Sequence, residues 1–282
     1  MSLSFSIITP SFHQLSWLKL NSASVQDQEG VDLEHIIQDA DSSNELHNWA
    51  VSRPRTALFV EKDDGMFDAI NRGWRRARGD IIAQLNCDEQ YLPGALLAVA
   101  RFFLSHPDVD IVYSDSLVMD AEGNLTTYWK AIPLSSLQVA AIGISNLTAG
   151  IFFRRNLLEE GFYYNTRWRC IGDQEWSFST LGAGKTAAVL NNPTSLYTVT
   201  GTNLSRTQRA AVENRQWQQE LPLWVRGAWL PFTLIKALRR KVLEPRTRLL
   251  NNVKFYLPNR PESRYTVQSI KVSTSWPLHL YM

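Results

Sequence analysis

The stretch "GDIIAQLNCDEQY" (79–91) runs from a glycine through apolar residues into Asn86, Cys87, Asp88 and Glu89. The apolar run is short and rich in isoleucine, which predicts a buried strand over 80–86. A core strand that ends in two carboxyl groups places both of them at one edge of its sheet. What these acids bind depends on what the neighbouring strands bring to that edge.

Strand and helix patterns alternate on both sides of this stretch. Strands are predicted over 4–9, 34–39, 56–61, 80–86 and 109–115, with helices over 14–28, 43–52, 66–78 and 93–105. Strands separated by helices of this length predict an α/β fold, with a mostly parallel central sheet flanked by helices. Ligands of such sheets bind beyond the carboxyl ends of the strands.

Acids and turn residues collect at four of these strand ends. They are Thr9 and Pro10, then Asp39, then residues 61–64, then residues 86–89. A single acid there is common, because turns favour Asp and Asn. Several carboxylates in one cleft require a cation or hydrogen-bond donors of a ligand, and Mg²⁺ or Mn²⁺ would use one or two of them together with substrate phosphates. No P-loop or G-x-G-x-x-G motif is present.

The region 61–89, "EKDDGMFDAINRGWRRARGDIIAQLNCDE", resembles family 2 glycosyltransferases with the GT-A fold. The stretches "SIITPSF" (6–12), "IIQDADS" (36–42) and "IGDQEW" (171–176) extend the resemblance over about residues 4–205. It implies an enzyme that transfers a sugar, with inversion, from a nucleoside-diphosphate sugar. A UDP-linked donor is the expectation.

The same resemblance assigns roles to individual residues. Thr9 and Pro10 would lie against the nucleotide, Asp39 would accept a hydrogen bond from the base, and Asp63 would lie near the base and ribose. Asp88 would be the principal ligand of Mn²⁺ or Mg²⁺ in a D-x-D-like motif, with Glu89 in support. Asn86 departs from the strict motif, which begins with an acid, and is expected beside the bound nucleotide sugar.

Asp173 is the candidate catalytic base. By resemblance, it matches the acid that opens a helix and takes the proton in inverting members, with Gly172 where a first acid is frequent and Glu175 as the second acid. Its position also suits a simple helix cap. A helix N-terminus favours the ionised carboxylate, which a base requires.

Three other features have plain alternatives. Cys87 is more typical of a small buried thiol than of a nucleophile, because no His lies beside it in the sequence. Asp68, Asn71 and Arg72 share a helix face and either reach the cleft or form a surface ion pair. Arg206 or Arg209 would contact phosphate, in a segment that resembles the loop closing over the diphosphate.

Charge divides the chain near residue 205. Residues 1–205 hold 15 Lys and Arg against 23 Asp and Glu, whereas residues 206–282 hold 14 against 4. We therefore predict a catalytic domain over 1–205, with a donor half over about 1–115 and an acceptor half over about 116–205. A basic, aromatic, helical or extended appendage follows over 206–282. Its partner is phospholipid, nucleic acid, an acidic subunit surface or only solvent.

Within the appendage, residues 221–250 mix Trp and Leu with Lys and Arg, which is typical of a helix at a membrane surface. Prolines divide this segment, so a helix is predicted over 232–243 only. Packing on the catalytic domain or on a second subunit explains the pattern equally well. The residues around "RPES" (260–263) predict a small hairpin or an extended arm.

These observations predict a cytoplasmic glycosyltransferase, with contact at the inner face of the membrane as an option. Neither a disulfide framework nor an apolar stretch of about 18 residues is present. The acceptor of the enzyme would be a hydroxyl of a polysaccharide or a lipid-linked glycan. No nucleic acid is expected to bind. A homo-oligomer is one possible assembly. The alternatives are a non-catalytic sugar-nucleotide-binding protein and a sugar nucleotidyltransferase, although the glycine-rich basic loop of the latter is missing.

Overall fold

The computed structural model describes residues 3–40, 44–201, 203–204, 207–243 and 246–275, without the side chains of residues 236–237 and 239–243. The strands are β1 (Ser4–Ser11), β2 (Asp32–Asp39), β3 (Thr56–Val60), β4 (Ile81–Gln84), β5 (Glu89–Tyr91), β6 (Ile111–Asp120), β7 (Leu125–Trp129), β8 (Ile151–Arg154), β9 (Ala187–Val199), β10 (Thr247–Leu257) and β11 (Arg260–Ser273). The helices are α1 (Leu15–Gln26), α2 (Asn44–Val51), α3 (Met66–Arg76), α4 (Ala95–Ser105), α5 (Ser136–Ile142), α6 (Asn156–Glu159), α7 (Gly172–Gly182), α8 (Gln208–Glu220), α9 (Leu223–Gly227) and α10 (Trp229–Leu243).

The strands form one sheet in the order β10-β11-β7-β6-β8-β4-β1-β2-β3, with β9 paired to β5 and β6. The predicted α/β fold is confirmed, and β3, β2, β1 and β4 form the expected parallel block. Beyond this block the sheet is mixed, because β8 lies antiparallel between β4 and β6. The parallel block therefore brings the carboxyl ends of β1, β2 and β4 to one edge.

Helices cover both faces of the sheet. Ile7 of β1 packs into a cluster with residues of α1 and α4, whereas its neighbour Ile8 packs with residues of α3 and α7. This division follows from the strand geometry, in which successive side chains point to opposite faces. Both residues are fully buried, so the first strand is the centre of two separate cores.

The entry into β4 depends on a glycine. A Cβ atom at Gly79 would lie 2.5 Å from the backbone carbon of Phe5 and 2.5 Å from the backbone nitrogen of Ser6. The Gly79 N–H donates to the Ser6 hydroxyl at 2.8 Å. Only a residue without a side chain lets β4 approach β1 this closely.

We expect Gly79→Ala to destabilise the fold by about 1–3 kcal/mol, because the backbone of β1 cannot move aside. Urea unfolding of the variant measures this loss. Gly182→Ala is the matched control, since the nearest atom to a Cβ there is 3.9 Å away. A Gly79→Ala protein as stable as the Gly182→Ala protein would contradict the expectation.

The C-terminal hairpin β10–β11 continues the sheet. Phe255 and Val272 are buried in one cluster with Leu117 and Leu196. The hairpin that we predicted is present but longer, and "RPES" begins β11 instead of forming the turn. The domain boundary at residue 205 stays a prediction, and described residues on its two sides share this hydrophobic cluster.

Helix α10 begins three residues before the predicted start at residue 232, and Pro231 lies in its first turn. The prediction that this proline precedes the helix was therefore wrong. A proline fits the first turn because the N–H groups there have no partner within the helix. Among the described helices, none combines the length and the hydropathy that spanning a bilayer requires.

Candidate active site

The predicted strand ends meet at one edge of the sheet. In the register of β1 and β2, Ser11 lies opposite Asp39, and the Cys87 thiol donates to the Pro10 carbonyl at 3.2 Å. A cavity of about 220 Å³ opens beside Asp39 and is also lined by Ser11 and His13. Of the residues expected around the nucleotide, Asp39 therefore lines a space that would admit a base.

Residues 86–89 form a tight turn at the end of β4. The Glu89 N–H donates to the Asn86 carbonyl at 3.0 Å, and the Asn86 N–H donates to Glu89 Oε2 at 2.8 Å. Glu89 then opens β5, which pairs with β9. The side chain of Glu89 thus fixes the turn on which Asp88 lies.

Asn21 of α1 holds this turn from inside the fold, a role that we did not predict. Its amide nitrogen donates to the carbonyls of Leu85, Asn86 and Glu89 at 3.3, 2.8 and 3.2 Å. Its amide oxygen accepts from the Thr9 hydroxyl at 3.3 Å. Asn21 is completely buried, so one side chain ties the ends of β1 and β4 together.

Thr9 is also completely buried, and its hydroxyl lies 2.9 Å from His35 Nε2. Burial lowers the pKa of His35 to about 3, so this imidazole is neutral at pH 7. The Thr9 side chain is thus used within the fold, and only its backbone remains a predicted nucleotide contact. Pro10, at the end of the strand, is half-buried.

A second series of hydrogen bonds supports Asn86. Its side-chain oxygen accepts from the Gln84 amide at 3.1 Å, and Gln84 in turn accepts from the Tyr164 hydroxyl at 2.9 Å. Asn71 fixes Tyr164 with two hydrogen bonds to its backbone, at 2.8 and 2.9 Å. Asn71 therefore supports the site from α3. Asp68 and Arg72 instead form an ion pair with each other, at 2.9 Å, which was the second of the two predicted alternatives for these residues.

Asp63 closes the turn that leads into α3. Its carboxylate accepts from the Gly65 N–H at 2.8 Å, and Gly65 has a φ of 108°, a conformation that favours glycine. Asp63 is half-buried and remains a predicted nucleotide contact.

Asp173 lies in the first turn of α7, as we predicted from the helix signals. Its Oδ1 atom accepts from the Gln174 N–H at 2.9 Å, and burial raises its pKa to about 6. Gly172 packs beneath the ring of Phe67, where a Cβ would come within 2.8 Å of the ring. An acid at position 172 would therefore not fit, which accounts for the departure from the family pattern.

The charges of Asp88 and Asp173 both act on the buried Glu89. Burial raises the pKa of Glu89 well above its ordinary value, and the charges of Asp88 and Asp173 raise it further. Burial also raises the pKa of Asp88. The field of Asp173 thus reaches the turn at residues 86–89, although the two are far apart in the sequence.

Cys87 is a buried free thiol. Burial raises its pKa, with Asp88 as the largest further cause. Since the thiolate is the reactive form, the raised pKa argues against a nucleophilic role, and the prediction of a small buried thiol is confirmed.

Arg169, which no motif had singled out, extends to the turn that leads into α3. Its guanidinium lies over Gly65, 3.1 Å from the place that a Cβ would take. The buried carboxylate of Glu213 accepts from the N–H groups of Arg169 at 3.0 Å and Cys170 at 2.8 Å, which fixes the backbone. No oxygen among the described residues accepts a hydrogen bond from the Arg169 guanidinium.

The segment that follows β9 reaches Asp88. The Asn203 amide nitrogen lies 3.5 Å from Asp88 Oδ2 and donates to the Thr198 carbonyl at 3.2 Å. Of the two candidate phosphate contacts, Arg206 lies outside the described residues. Arg209 pairs with Glu213 at 3.1 Å on α8.

The oxygen atoms around Asp88 fit a divalent cation that is shared with a diphosphate. Glu89 Oε1 is buried, and no described residue donates a hydrogen bond to it. Mg²⁺ and Mn²⁺ prefer oxygen ligands and commonly take one or two carboxylates along with substrate phosphates. Among the described residues no cluster of three His, Cys, Asp or Glu side chains can hold a metal, so the chain would supply only part of the coordination.

The fold is that of the GT-A glycosyltransferases. S. aureus TarS 1–349 in complex with UDP-GlcNAc aligns with a TM-score of 0.64 and 14% identity, over 86% of this chain and 76% of that one. A mannosyltransferase of Pyrobaculum calidifontis, in complex with GDP-Man and Mn²⁺, aligns with a TM-score of 0.54 and 15% identity, over 84% and 76%. These similarities establish the α/β architecture of the chain.

The model of glycosyl transferase family 2 matches residues 6–162, more than half of the chain, and the chain belongs to this family. A curated relative, the PGL/p-HBAD biosynthesis glycosyltransferase of Mycobacterium bovis, is 29% identical over 62% of this chain and 68% of its own length. The predicted family and the predicted glycosyltransferase activity are confirmed.

Proposed function

We propose that the chain transfers a sugar, with inversion, from a UDP-sugar to a hydroxyl group of a polysaccharide or lipid-linked glycan. The observation that carries this proposal is that the charge of Asp173, in the first turn of α7, acts on Glu89 of the turn at residues 86–89. A base and a binding site for a leaving diphosphate must lie close to each other if one sugar carbon is to react between them.

The donor is proposed to lie along the edge of the parallel block. The base would occupy the cavity beside Asp39 and Pro10, the ribose would lie toward Asp63, and the diphosphate would extend past Asn86 toward Asp88. UDP is proposed because TarS 1–349, which this fold resembles, was solved with UDP-GlcNAc.

Asp88, with Glu89 beside it, would hold Mn²⁺ or Mg²⁺ together with the diphosphate. A bound divalent cation neutralises the charge that develops on a leaving diphosphate. Asn203 would contact the same region from the segment after β9. Arg169, whose guanidinium lies over Gly65, would contribute a positive charge near Asp63.

Asp173 would act as the base. Its carboxylate takes the proton of the acceptor hydroxyl, the hydroxyl oxygen bonds to the anomeric carbon, and the bond from that carbon to the diphosphate oxygen breaks on the other face. The sugar is transferred with inverted configuration, and UDP leaves with the electron pair. The raised pKa of Asp173 suits a proton acceptor that works at neutral pH.

A thermal-shift screen tests the donor. We expect a UDP-sugar with Mn²⁺ to raise the melting temperature more than the metal or the nucleotide sugar alone, because binding to the folded state stabilises it. Absence of a shift with any UDP-, GDP- or dTDP-sugar would refute the proposal. Binding without transfer to any acceptor would instead favour the non-catalytic sugar-nucleotide-binding protein, and pyrophosphate release from a nucleoside triphosphate and a sugar phosphate would favour the nucleotidyltransferase.

We expect Arg169→Gln to raise the KM for the donor about tenfold, with a smaller change in kcat, because a charge-assisted hydrogen bond to a diphosphate contributes about 1.5–3 kcal/mol. Steady-state kinetics with varied donor measures this effect. The matched control is Arg167→Gln, two residues away, where the guanidinium pairs with Glu220 on the surface. An equal rise of KM in both variants would show that Arg169 has no specific contact with the donor.

A further inference from the structure

Helices α9 and α10 expose an unusual amount of apolar surface. Of fifteen large apolar residues that are exposed in the described chain, seven fall within residues 223–238. They are Leu223 (80% exposed), Trp224 (70%), Trp229 (54%), Leu230 (50%), Leu234 (60%), Ile235 (57%) and Leu238 (62%). We refer to these seven residues as the α9–α10 surface. Concentrated apolar exposure of this kind marks an interaction site, whereas scattered exposed residues are normal.

These side chains are not turned toward the protein core. Leu230, Leu234 and Leu238 follow one another at four-residue spacing and so form a single stripe along α10. The anchors of this region are different residues, because Val225 is buried with Trp168 and Trp217. Helix α10 itself packs against α5. The stripe therefore remains available to a partner.

The same segment is strongly cationic. Residues 223–250 contain seven Lys and Arg and one acid, and four of the cationic residues, Lys236, Arg239, Arg240 and Lys241, belong to α10. A partner of the α9–α10 surface must therefore accept both apolar side chains and positive charge. An anionic lipid bilayer does so, because its acyl region takes up the apolar side chains and its headgroups neutralise Lys and Arg.

A second copy of this surface fits less well. Two identical surfaces would bring two cationic helices together, and like charges in contact oppose association. Protein interfaces are also depleted in Lys, whereas Trp, Leu, Lys and Arg together are typical of helices at a membrane interface. The positive charge of α10 therefore favours an anionic bilayer over a second copy of the chain as the partner.

The location of the surface agrees with this partner. Helix α5, against which α10 packs, also packs against α7, whose first turn carries Asp173. The α9–α10 surface thus belongs to the acceptor side of the molecule. A bilayer in contact with it would present a lipid-linked acceptor on that side, a consequence that rests on the proposed function.

We propose that the α9–α10 surface binds the surface of an anionic lipid bilayer, with α10 lying in the interface. The apolar stripe enters the boundary between headgroups and acyl chains, and the cationic residues contact the headgroups. This contact involves no membrane-spanning segment. It holds the enzyme at the bilayer reversibly, because one short helix inserts only a limited apolar area.

Vesicle sedimentation of the full chain tests this proposal. Wild type should bind vesicles of mixed phosphatidylglycerol and phosphatidylcholine much better than vesicles of phosphatidylcholine alone, and high salt should weaken the binding. The double variant Leu234→Gln, Leu238→Gln should lose at least about tenfold in affinity for the anionic vesicles, because two apolar side chains no longer enter the bilayer. The matched control, Val51→Gln with Leu104→Gln, changes two residues that are also exposed, but on other helices, and should bind like wild type.

Failure to bind anionic vesicles at low salt, or equal binding of the double variant and wild type, would overturn the proposal. Light scattering that finds a dimer in wild type and a monomer in the double variant would assign the surface to a second copy instead. The thermal shift caused by UDP-GlcNAc with Mn²⁺ should be the same in all these proteins. Absence of a shift with every UDP-sugar in wild type would refute the proposed donor and leave the lipid result standing.

Discussion

Asp173→Asn should lower kcat for sugar transfer by about 10²–10⁴-fold, because the acceptor hydroxyl loses its proton acceptor. The substitution keeps the shape of the side chain and an oxygen that accepts the hydrogen bond from the Gln174 N–H. We therefore expect a folded protein with an unchanged KM for the donor. Steady-state kinetics and donor-induced thermal shifts measure the two effects separately.

The pH dependence provides a second readout for Asp173. Its pKa is raised to about 6 by burial, so the carboxyl remains protonated at a higher pH than an exposed Asp. A base must be ionised, and kcat/KM of wild type should therefore fall about tenfold per pH unit below pH 6. The residual activity of Asp173→Asn should decline less steeply, because only Asp88, whose pKa burial also raises to about 6, still has to ionise.

Glu175→Gln is the matched control for Asp173→Asn. Glu175 lies in the same first turn of α7, but its carboxylate accepts from the Ser179 hydroxyl at 2.7 Å, along the helix. We expect this variant to keep wild-type kcat. If Asp173→Asn also retained full activity, Asp173 would be only a helix-terminal acid.

Asp88→Asn should have two effects of opposite kind. Transfer should fall by about 10²–10³-fold, because the diphosphate loses electrostatic stabilisation as it leaves. The melting temperature of the metal-free protein should rise by about 2–4 °C, which corresponds to about 1 kcal/mol. Removing a charge from a buried group of acids relieves both desolvation and repulsion.

The sign of the stability effect follows from the direction of the pKa shift. Burial raises the pKa of Asp88 in the folded state above its value in the unfolded chain. Ionisation therefore weakens the fold as the pH rises from about 4, and the loss is complete at neutral pH. Mn²⁺ should raise the melting temperature of wild type and have little effect on the variant.

Asp80→Asn, at the other end of β4, is a control for which we expect the opposite change in melting temperature. Hydrogen bonds from the Ser4 N–H and hydroxyl, at 2.9 and 2.8 Å, lower the pKa of Asp80, so its ionised form stabilises the fold. We expect this variant to melt below wild type and to keep its metal dependence. A fall in the melting temperature of Asp88→Asn, like that of Asp80→Asn, would contradict an acidic cation site.

The parallel block was predictable because each of its strands and helices has a clear pattern within its own short stretch of sequence. The strands β1, β2, β3 and β4 and the helices between them have clear periodicity, and the rule for strand ends placed Asp39 and residues 86–89 together. The position of β8 between β4 and β6 was not predictable. A strand pattern such as "IFFR" does not specify which strands it will pair with, because pairing is decided by the assembled sheet.

The supporting residues were missed for a related reason. Asn21 occupies a helix whose sequence gives no sign of a buried amide, and its role exists only because three carbonyl groups of a distant turn surround it. Arg169 matches no motif, and its importance follows from the close approach of two segments at Gly65. In contrast, Asp88 and Asp173 carry family motifs, so the resemblance could propose roles for them.

The C-terminal hairpin has a consequence for the order in which the protein is made. Gln90, beside the turn at residues 86–89, exchanges two hydrogen bonds with the backbone of Tyr256, and Asp27 pairs with Arg264 at 2.5 Å. During synthesis the early residues leave the ribosome first, and these partners follow 166 and 237 residues later. A chain that is stopped at residue 205 would leave the Gln90 amide and the apolar side of Leu196 without cover. The hydrogen bonds between Gln90 and Tyr256 join residues 166 positions apart, so we expect nascent chains to form them only after residue 256 has left the ribosome.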